Sequence, residues 1–401
     1  MKIFFSHQNF PAQFGHFGAW LAQRGWDVTF FTNADGAQPP KDCKMVKMAP
    51  HREVADGTHR YIRGLESAIL NAQGFANSAL RVKNKLGDPD IIVAHSGWGS
   101  GTFAKAVWPN AKFVSYAEWY YHYPPRDVGR VREDQTPEDG RAFAMGRNLP
   151  MILDFDQADW IWCPTTFQAS QFPDIYRRRM TVRHDGVDCE TFAPGDAWPE
   201  EIPQGAELVT YMTRGMEPHR GFPEFMRAVA ILQTQRPNMH VLIAGKDRVA
   251  YGEKLPDGDS WKKRMLKELE LDLSRIHFTD LLPYNRFKEV LQATHCHVYL
   301  TVPFVLSWSM IEAMSVGCPM VVSDTEPVRE ALPHDDMAQF VPLADPGAIV
   351  AAVNRYLDDR DLARQRGAAA RARALAAYDR RWIWPARAQE LTEMIEPQYI
   401  G

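Results

Sequence analysis

Two arginines, Arg214 and Arg220, flank two glycines in the run YMTRGMEPHRG, directly after an apolar segment that reads as a strand. Each guanidinium can fork across two oxygens of a phosphate. Gly215 and Gly221 would let backbone N–H groups come close to the same anion. The chemistry this suits is the binding of a diphosphate; the alternative is a pair of solvated surface arginines. A second strand pattern, HVLIAGK, ends on Gly245 and Lys246, where Lys246 would add charge to a phosphate site or lie in solvent. Further on, TVPFVLSWSMIEAMSVGCPMVVSD holds a single acid, Glu312, before its final Asp324. A carboxylate in so apolar a stretch needs a partner, because an unpaired buried charge is costly. A ligand with hydroxyl groups would be such a partner. The other reading is a charge near a helix N-terminus, favoured by the macrodipole. Ser307, Trp308 and Ser309 form the polar turn ahead of that helix.

The first half has its own candidates. In SHQNFPAQFGHFG, after the first strand pattern, Gly15 and Gly18 suit close backbone approach, and His16 could touch a sugar or phosphate. The spacing is not G-x-G-x-x-G, so the dinucleotide fingerprint is absent. VSYAEWYYHYPPRDVGRVR carries Glu118 just past a strand end, among Trp119, Tyr120, Tyr121, His122 and Tyr123. Aromatic faces around an acid resemble a carbohydrate platform, and Glu118 could serve as a base or stabilise an oxocarbenium ion. Arg126, Arg130 and Arg132 would meet an anionic acceptor or solvent. Asp154-Phe155-Asp156 and Asp257-Gly258-Asp259 both spell D-x-D, but the first lies in a helical pattern where i and i+2 do not share a face. Both read as structural, so no metal site is expected.

The elements that must position these residues alternate regularly. Short apolar runs such as residues 2–5, 28–31, 91–94, 113–115 and 160–163 are separated by helical patterns at 12–24, 61–85 and 141–155. The second half repeats the scheme, with strands at 208–212, 241–244, 276–278, 298–301, 320–323 and 340–341 and helices at 221–235, 261–269, 284–294, 309–316 and 348–378. Strand–helix alternation predicts parallel sheets covered on both faces. The proline- and acid-rich APGDAWPEEIPQGA reads as a linker. The expectation is therefore an α/β protein of two Rossmann-like doubly wound domains facing a cleft, residues 1–195 and 206–379. A final helix over 380–401, kinked at Pro385, is expected to pack back on the first domain through Trp382, Ile383 and Trp384.

Bulk composition excludes several classes. With 401 residues, 45% hydrophobic content and a net charge of −4, this is a globular chain without the basic face that nucleic acid requires. Five scattered cysteines form no C-x-x-C, so neither a disulfide framework nor a zinc site is expected. The chain opens on a strand pattern rather than a signal peptide, and no apolar run is long enough to span a bilayer. A cytoplasmic location is expected. Phe14, Phe17, Trp20 and Leu21, at helical spacing, read as core and leave a peripheral membrane contact open.

Taken together these segments resemble glycosyltransferase family 4, whose members have the two-domain GT-B fold. YMTRGMEPHRG is similar to the family's donor-phosphate loop, with Arg214 and Arg220 at its two basic positions. PFVLSWSMIEAMSVGCPMVVSD is similar to the family's E-A-M signature, whose Glu, here Glu312, binds the donor ribose. ADWIWCPTTFQASQF and VRHDGVDCETFAP resemble the family's exit from the first domain. IIVAHSGWGSGTF and KFVSYAEWYYHY resemble a bacterial subgroup of the N-terminal domain. There are three departures: Phe304 replaces a Glu, Ser307 replaces the turn glycine, and Ala117 replaces a His. Glu118, His122, His95 and His16 are the available replacements for the lost groups. The resemblance implies a retaining, metal-independent transferase without a cofactor, with a nucleotide-diphosphate sugar as donor and a carbohydrate, lipid-linked or small-molecule acceptor, in bacterial glycoconjugate or polysaccharide synthesis. A catalytically silent sugar-binding or scaffold protein of the same fold is the alternative.

Overall fold

The computed structural model describes residues 1–126, 136–253 and 255–395. They form two compact units. One takes in the described residues from Met1 to Asp185, apart from Arg126, and those from Trp382 onward; the other takes in Arg126 and the described residues between Gly186 and Arg381.

The first unit is built on seven parallel strands: β1 (Lys2–Ser6), β2 (Asp27–Thr32), β3 (Cys43–Lys47), β4 (Ile91–His95), β5 (Lys112–Tyr116), β6 (Trp160–Cys163) and β7 (Met180–Val182), in the order β3-β2-β1-β4-β5-β6-β7. Its helices are α1 (Gly15–Ala22), α2 (Arg63–Leu86), α3 (Ala104–Val107), α4 (Pro137–Gln157), α5 (Thr166–Ser170) and α6 (Asp174–Arg177). Side chains alternate across the sheet: Phe4, Ile92 and Ala94 enter one core, and Ile3, Phe5, Ile91 and Val93 the other. Burial of both faces is why these strands read as unbroken apolar runs. Helix α4 begins four residues ahead of its apolar pattern. The Thr136 hydroxyl caps it by accepting from the Asp139 N–H, and Pro137 fits the first turn.

The second unit holds six parallel strands: β8 (Glu207–Gly215), β9 (Met239–Lys246), β10 (Ile276–Thr279), β11 (Cys296–Tyr299), β12 (Met320–Ser323) and β13 (Gln339–Val341), in the order β10-β9-β8-β11-β12-β13. The helices are α7 (Phe222–Gln235), α8 (Trp261–Glu268), α9 (Tyr284–Ala293), α10 (Trp308–Val316), α11 (Glu326–Ala331), α12 (Pro346–Asp358), α13 (Arg360–Ala377) and α14 (Arg380–Glu393), the last passing into the first unit. The single helix expected over 348–378 is two, because the Asp359 carboxylate accepts from the Leu362 N–H and starts α13. No described helix is long and apolar enough to cross a membrane.

The division between units differs from the linker reading. It falls between Asp185 and Gly186. The segment around Pro194–Ala206 belongs wholly to the second unit, because Phe192, Ile202 and Ala206 are buried in its core and the Trp198 indole N–H donates to the Ile202 carbonyl at 2.9 Å. The acids there, with Pro194 and Pro203, lie on the outside of a packed strap, while Pro199 is buried in it. Within the first unit, α14 runs on through Pro385, which forfeits only one backbone bond. Ile383 and Trp384 are buried, while Trp382 is 66% exposed. Trp384 packs on Phe17 and Trp20 and donates its indole N–H to the Asp185 carbonyl at 2.7 Å. Phe14, Phe17 and Leu21 are thus consumed in a core and are no membrane-inserting face.

Candidate functional site

Each sheet reverses its winding once: between β1 and β4 in the first, and between β8 and β11 in the second. Crevices for ligands open at the carboxyl ends of strands at such points. Both sets of chemistry-bearing residues lie there.

In the second unit, the loop after β8 makes a 3-10 turn at Pro218–Arg220 and enters α7 through Gly221. Gly221 has φ +63°, and a Cβ there would stand 2.7 Å from that of Leu300, so only glycine fits. The turn buries Arg220. Its guanidinium donates to the Thr301 hydroxyl at 2.7 Å, the Tyr299 hydroxyl at 3.3 Å and the Val305 carbonyl at 3.1 Å, and lies 5.2 Å from the centre of the Tyr251 ring. No carboxylate forms an ion pair with it among the described residues. A buried cation with only neutral partners is under-compensated, and an anion is what would complete it. The Tyr299 hydroxyl also accepts from the Ser307 N–H at 3.0 Å. Arg220 is thereby tied to the start of α10, which the Ser307 hydroxyl caps through the Ser309 N–H. Trp308 and Ser309 are half-buried in its first turn.

Arg214 and Lys246 are exposed at the ends of β8 and β9, where the buried Gly215 sits in register opposite Lys246. Neither cation side chain has a hydrogen-bond or ion-pair partner among the described residues. Glu312 is not at the helix start but one turn inside α10, and it is buried. The Tyr284 hydroxyl donates to it at 3.0 Å. Burial pushes its carboxyl up to about 7, against the opposing pull of that hydrogen bond. Half of its acceptor capacity is left for a hydroxyl-bearing ligand.

Glu217 carries a role the sequence reading missed. It is fully buried, and its carboxylate accepts from the N–H groups of Ala250, Tyr251 and Gly252 at 2.8–3.2 Å. This clamp fixes the loop after β9 and sets Tyr251 beside Arg220. Phe304 joins the same group, with its ring centre 5.2 Å from that of His219 and 5.3 Å from that of Tyr251. Burial holds His219 neutral, down to about 4. An aromatic cluster thus stands where the resemblance places a second Glu.

In the first unit, His95 ends β4 and Glu118 follows β5. The His95 Nδ1–H donates to the Ser96 carbonyl at 3.0 Å, which leaves Nε2 3.4 Å from a Glu118 oxygen. The His95 ring and the Glu118 carboxylate therefore face each other across the site. The Gln13 amide donates to the other Glu118 oxygen at 3.0 Å. Both residues line a cavity of ≈ 210 Å³ together with Trp98, Trp119, Tyr121 and Arg147. Beneath it, Asp154 is buried in α4. It accepts from the Gly97 N–H at 3.0 Å and the Thr102 hydroxyl at 2.6 Å, while burial pushes it up to about 6. Asp154 is therefore a brace for the loop after β4 rather than part of a metal pair, and Asp259 likewise serves Arg264 and the start of α8.

The remaining candidates are placed elsewhere. The His122 Nε2 donates to the Gln171 carbonyl at 2.7 Å, and the residue does not line the Glu118 cavity. His16 is exposed on α1 and does not line it either. Gly15 is buried, and a Cβ on it would lie 2.4 Å from the Pro11 Cβ, so its small size serves packing within the first unit. Arg130 and Arg132 lie outside the described residues. No group of three described His, Cys, Asp or Glu side chains is arranged to hold a metal ion.

Comparison with known proteins matches this two-unit plan. Residues 24–192 fit the glycosyl transferase family 4 group, and residues 196–373 fit the glycosyl transferases group 1. Each half of the chain thus matches a glycosyltransferase family model. Among curated relatives, the D-inositol 3-phosphate glycosyltransferase of Mycobacterium marinum is 26% identical over 319 residues, covering 76% of the chain and 63% of the relative. That of Mycolicibacterium gilvum is 28% identical over 239 residues, covering 56% and 50%. The chain thus spans about half to two thirds of the length of these relatives. Among solved structures, sucrose-phosphate synthase from Thermosynechococcus elongatus aligns with a TM-score of 0.72 at 16% identity, covering 98% of the chain and 99% of that protein. The Anabaena HepE protein in complex with UDP-glucose aligns with a TM-score of 0.71 at 15% identity, covering 98% and 100%. At that identity these structures establish the fold, GT-B.

Proposed function

We propose that this glycosyltransferase transfers a hexose, with retention of configuration, from a nucleotide-diphosphate sugar to a hydroxyl of a glycan, lipid-linked or small-molecule acceptor. The observation that carries the donor half is Arg220, a buried guanidinium with neutral partners only, at the switch point of the second sheet. The diphosphate would lie against Arg220, with Arg214 and Lys246 at its exposed side, and the ribose hydroxyls would donate to Glu312. As the bond from the sugar C1 to the β-phosphate oxygen breaks, charge gathers on the leaving diphosphate, where fixed cations stabilise it. The acceptor oxygen bonds to C1 from the face the diphosphate leaves. The acceptor's proton is released, and the products are the glycoside and the nucleoside diphosphate. In the first unit, Glu118 and His95 are the groups equipped to handle that proton or to stabilise positive charge on the sugar ring.

The names of the relatives make UDP-glucose the first donor to test and a phosphorylated cyclitol a reasonable first acceptor. A thermal-shift panel of UDP-glucose, UDP-N-acetylglucosamine, GDP-mannose and free UDP is expected to show a saturable rise in melting temperature with at least one nucleotide. Proton NMR of the freshly released sugar is expected to show the donor's anomeric configuration. No shift with any nucleotide, or release of the inverted anomer, would overturn the reading.

Glu312 gives the donor site a pH dependence with a definite sign. Its folded pKa is raised above the ordinary value, so its contribution to apo stability is full below about 4.5 and is lost as pH rises through about 7. A ribose-bound carboxylate is ionised, so donor affinity should rise with pH across the same window. Glu312→Gln is expected to weaken nucleotide binding roughly 10-fold, the loss of hydrogen bonds to a charged acceptor. It should also flatten both trends between pH 6 and 8. Calorimetric titration of UDP at those two pH values checks this, and an unchanged slope in the variant would remove Glu312 from the site.

A further inference from the structure

Next to the Glu118 cavity the first unit holds a larger one, ≈ 650 Å³, walled by Arg52, Arg60, Arg63, Arg147, Tyr61 and Phe143. The two cavities share Gly64, Ser67 and Arg147. Four arginines around one hollow is unusual in a chain of net charge −4, and they are not equally satisfied. Arg52 is paired with Glu66 at 2.6 Å, and Arg60 with Asp139, which also takes the Tyr61 hydroxyl. Arg63 reaches only the carbonyls of Ala55 and Asp56, at 3.3 and 3.5 Å. Arg147 lies 3.4 Å from the centre of the Tyr121 ring and has no acid partner among the described residues. Glu53 is the other acid on the wall, exposed at its rim. Arg63 and Arg147 therefore face this hollow as uncompensated cations. Arg147 is held flat by its tyrosine, a posture that pre-orients its donors at the threshold of the His95–Glu118 cavity.

We infer that this double cavity takes the acceptor, and that the acceptor carries a phosphate bound by Arg147 and Arg63 in the larger chamber while one of its hydroxyls reaches His95 and Glu118 in the smaller one. The inference rests on the glycosyl-transfer reading of the Glu118 cavity. Two planar guanidiniums suit a dianionic phosphate with two or more free oxygens. The smaller chamber admits a single ring, with Trp98 and Trp119 as its apolar walls. A free sugar or cyclitol phosphate and a lipid phosphate headgroup present the same chemistry to the arginines.

Binding is tested on the full chain with UDP held at saturation, so that added phosphate cannot enter the donor site. The probes are inorganic phosphate, glucose 6-phosphate, glucose, and phosphatidic acid vesicles against phosphatidylcholine vesicles. Glucose 6-phosphate or phosphatidic acid is expected to bind saturably, at least 10-fold tighter than its uncharged counterpart. Arg147→Met and Arg63→Met are each expected to weaken that binding 10-fold or more while leaving UDP affinity unchanged. Preference for glucose 6-phosphate marks a soluble acceptor; preference for the vesicles marks a lipid one. Equal binding of glucose and glucose 6-phosphate with no vesicle preference, or full phosphate binding in Arg147→Met, would overturn the inference. Absence of UDP binding in the wild-type chain instead overturns the donor reading, and the two failures are thus separable.

Discussion

Arg220→Met is expected to lower affinity for UDP and for the sugar donor by about 100-fold, the loss of two charge-assisted hydrogen bonds worth roughly 1.5–3 kcal/mol each, partly offset by relaxation. Calorimetry reads this directly. The folded protein should tolerate the change, because methionine approximates the arginine stem and removes a buried charge that no carboxylate among the described residues pairs with. Replacing an unpaired buried ion with an apolar side chain is often neutral or better for stability. The expected pattern is thus an apo melting temperature within a few degrees of the parent, with the UDP-induced rise abolished. Arg220→Lys should recover part of the affinity, since it keeps the charge but not the fork. Arg214→Ala, at an exposed position, should cost about 10-fold or less. If Arg220→Met instead lowered the apo melting temperature steeply and left UDP affinity intact, the residue would be a strut between β8 and β11 and the donor site would lie elsewhere.

The contrast between those two arginines shows what sequence can and cannot convey. The strand–loop–helix pattern at YMTRGMEPHRG located both at a carboxyl strand end, because parallel buried strands announce themselves as apolar runs. It could not rank them. One is exposed and the other buried, and that follows from the 3-10 turn at Pro218–Arg220 and from Tyr299, at the end of β11, and Thr301, just past it, whose side chains reach it from about eighty residues away. Glu217 escaped notice for the same reason, since its partners are backbone N–H groups of another loop, and backbone donors leave no residue-type signature. The packing of the proline- and acid-rich segment was not legible, because proline and acid content reports on solvent exposure of one side of a segment. The burial of Phe192 and Ile202 on its other side decides to which core it belongs. Among the histidines, His122 and His16 stood out by their neighbours in sequence. His95 was only one of several replacements, yet it is the one that β4 delivers beside Glu118. Strand order, which brings β4 next to both β1 and β5, is the missing information.

Glu118→Gln is expected to reduce kcat for transfer by about 100- to 1,000-fold, the usual range for loss of a positioned proton-handling group, with donor affinity unchanged. The amide keeps the size of the side chain and its bond from Gln13, so a loss of rate reports on charge and proton capacity rather than packing. His95→Gln should fall by a similar factor, because its Nε2 is the atom that faces the Glu118 carboxylate and its Nδ1–H is committed to the Ser96 carbonyl. If the two act as one unit, the double variant should be no slower than the worse single one, whereas independent residues would multiply. The brace below offers a graded control. Asp154→Asn keeps an acceptor for the Gly97 N–H and can donate its amide N–H to the Thr102 hydroxyl oxygen in place of accepting from it, so it should lower kcat by no more than about 10-fold and leave KM for donor alone. Steady-state rates at saturating donor, with donor affinity measured separately by calorimetry, discriminate these cases. A Glu118→Gln enzyme with full kcat would show that the carboxylate is a wall of the cavity. The proton would then have to leave the acceptor on the departing diphosphate itself, and the chemistry would rest wholly on the residues around Arg220.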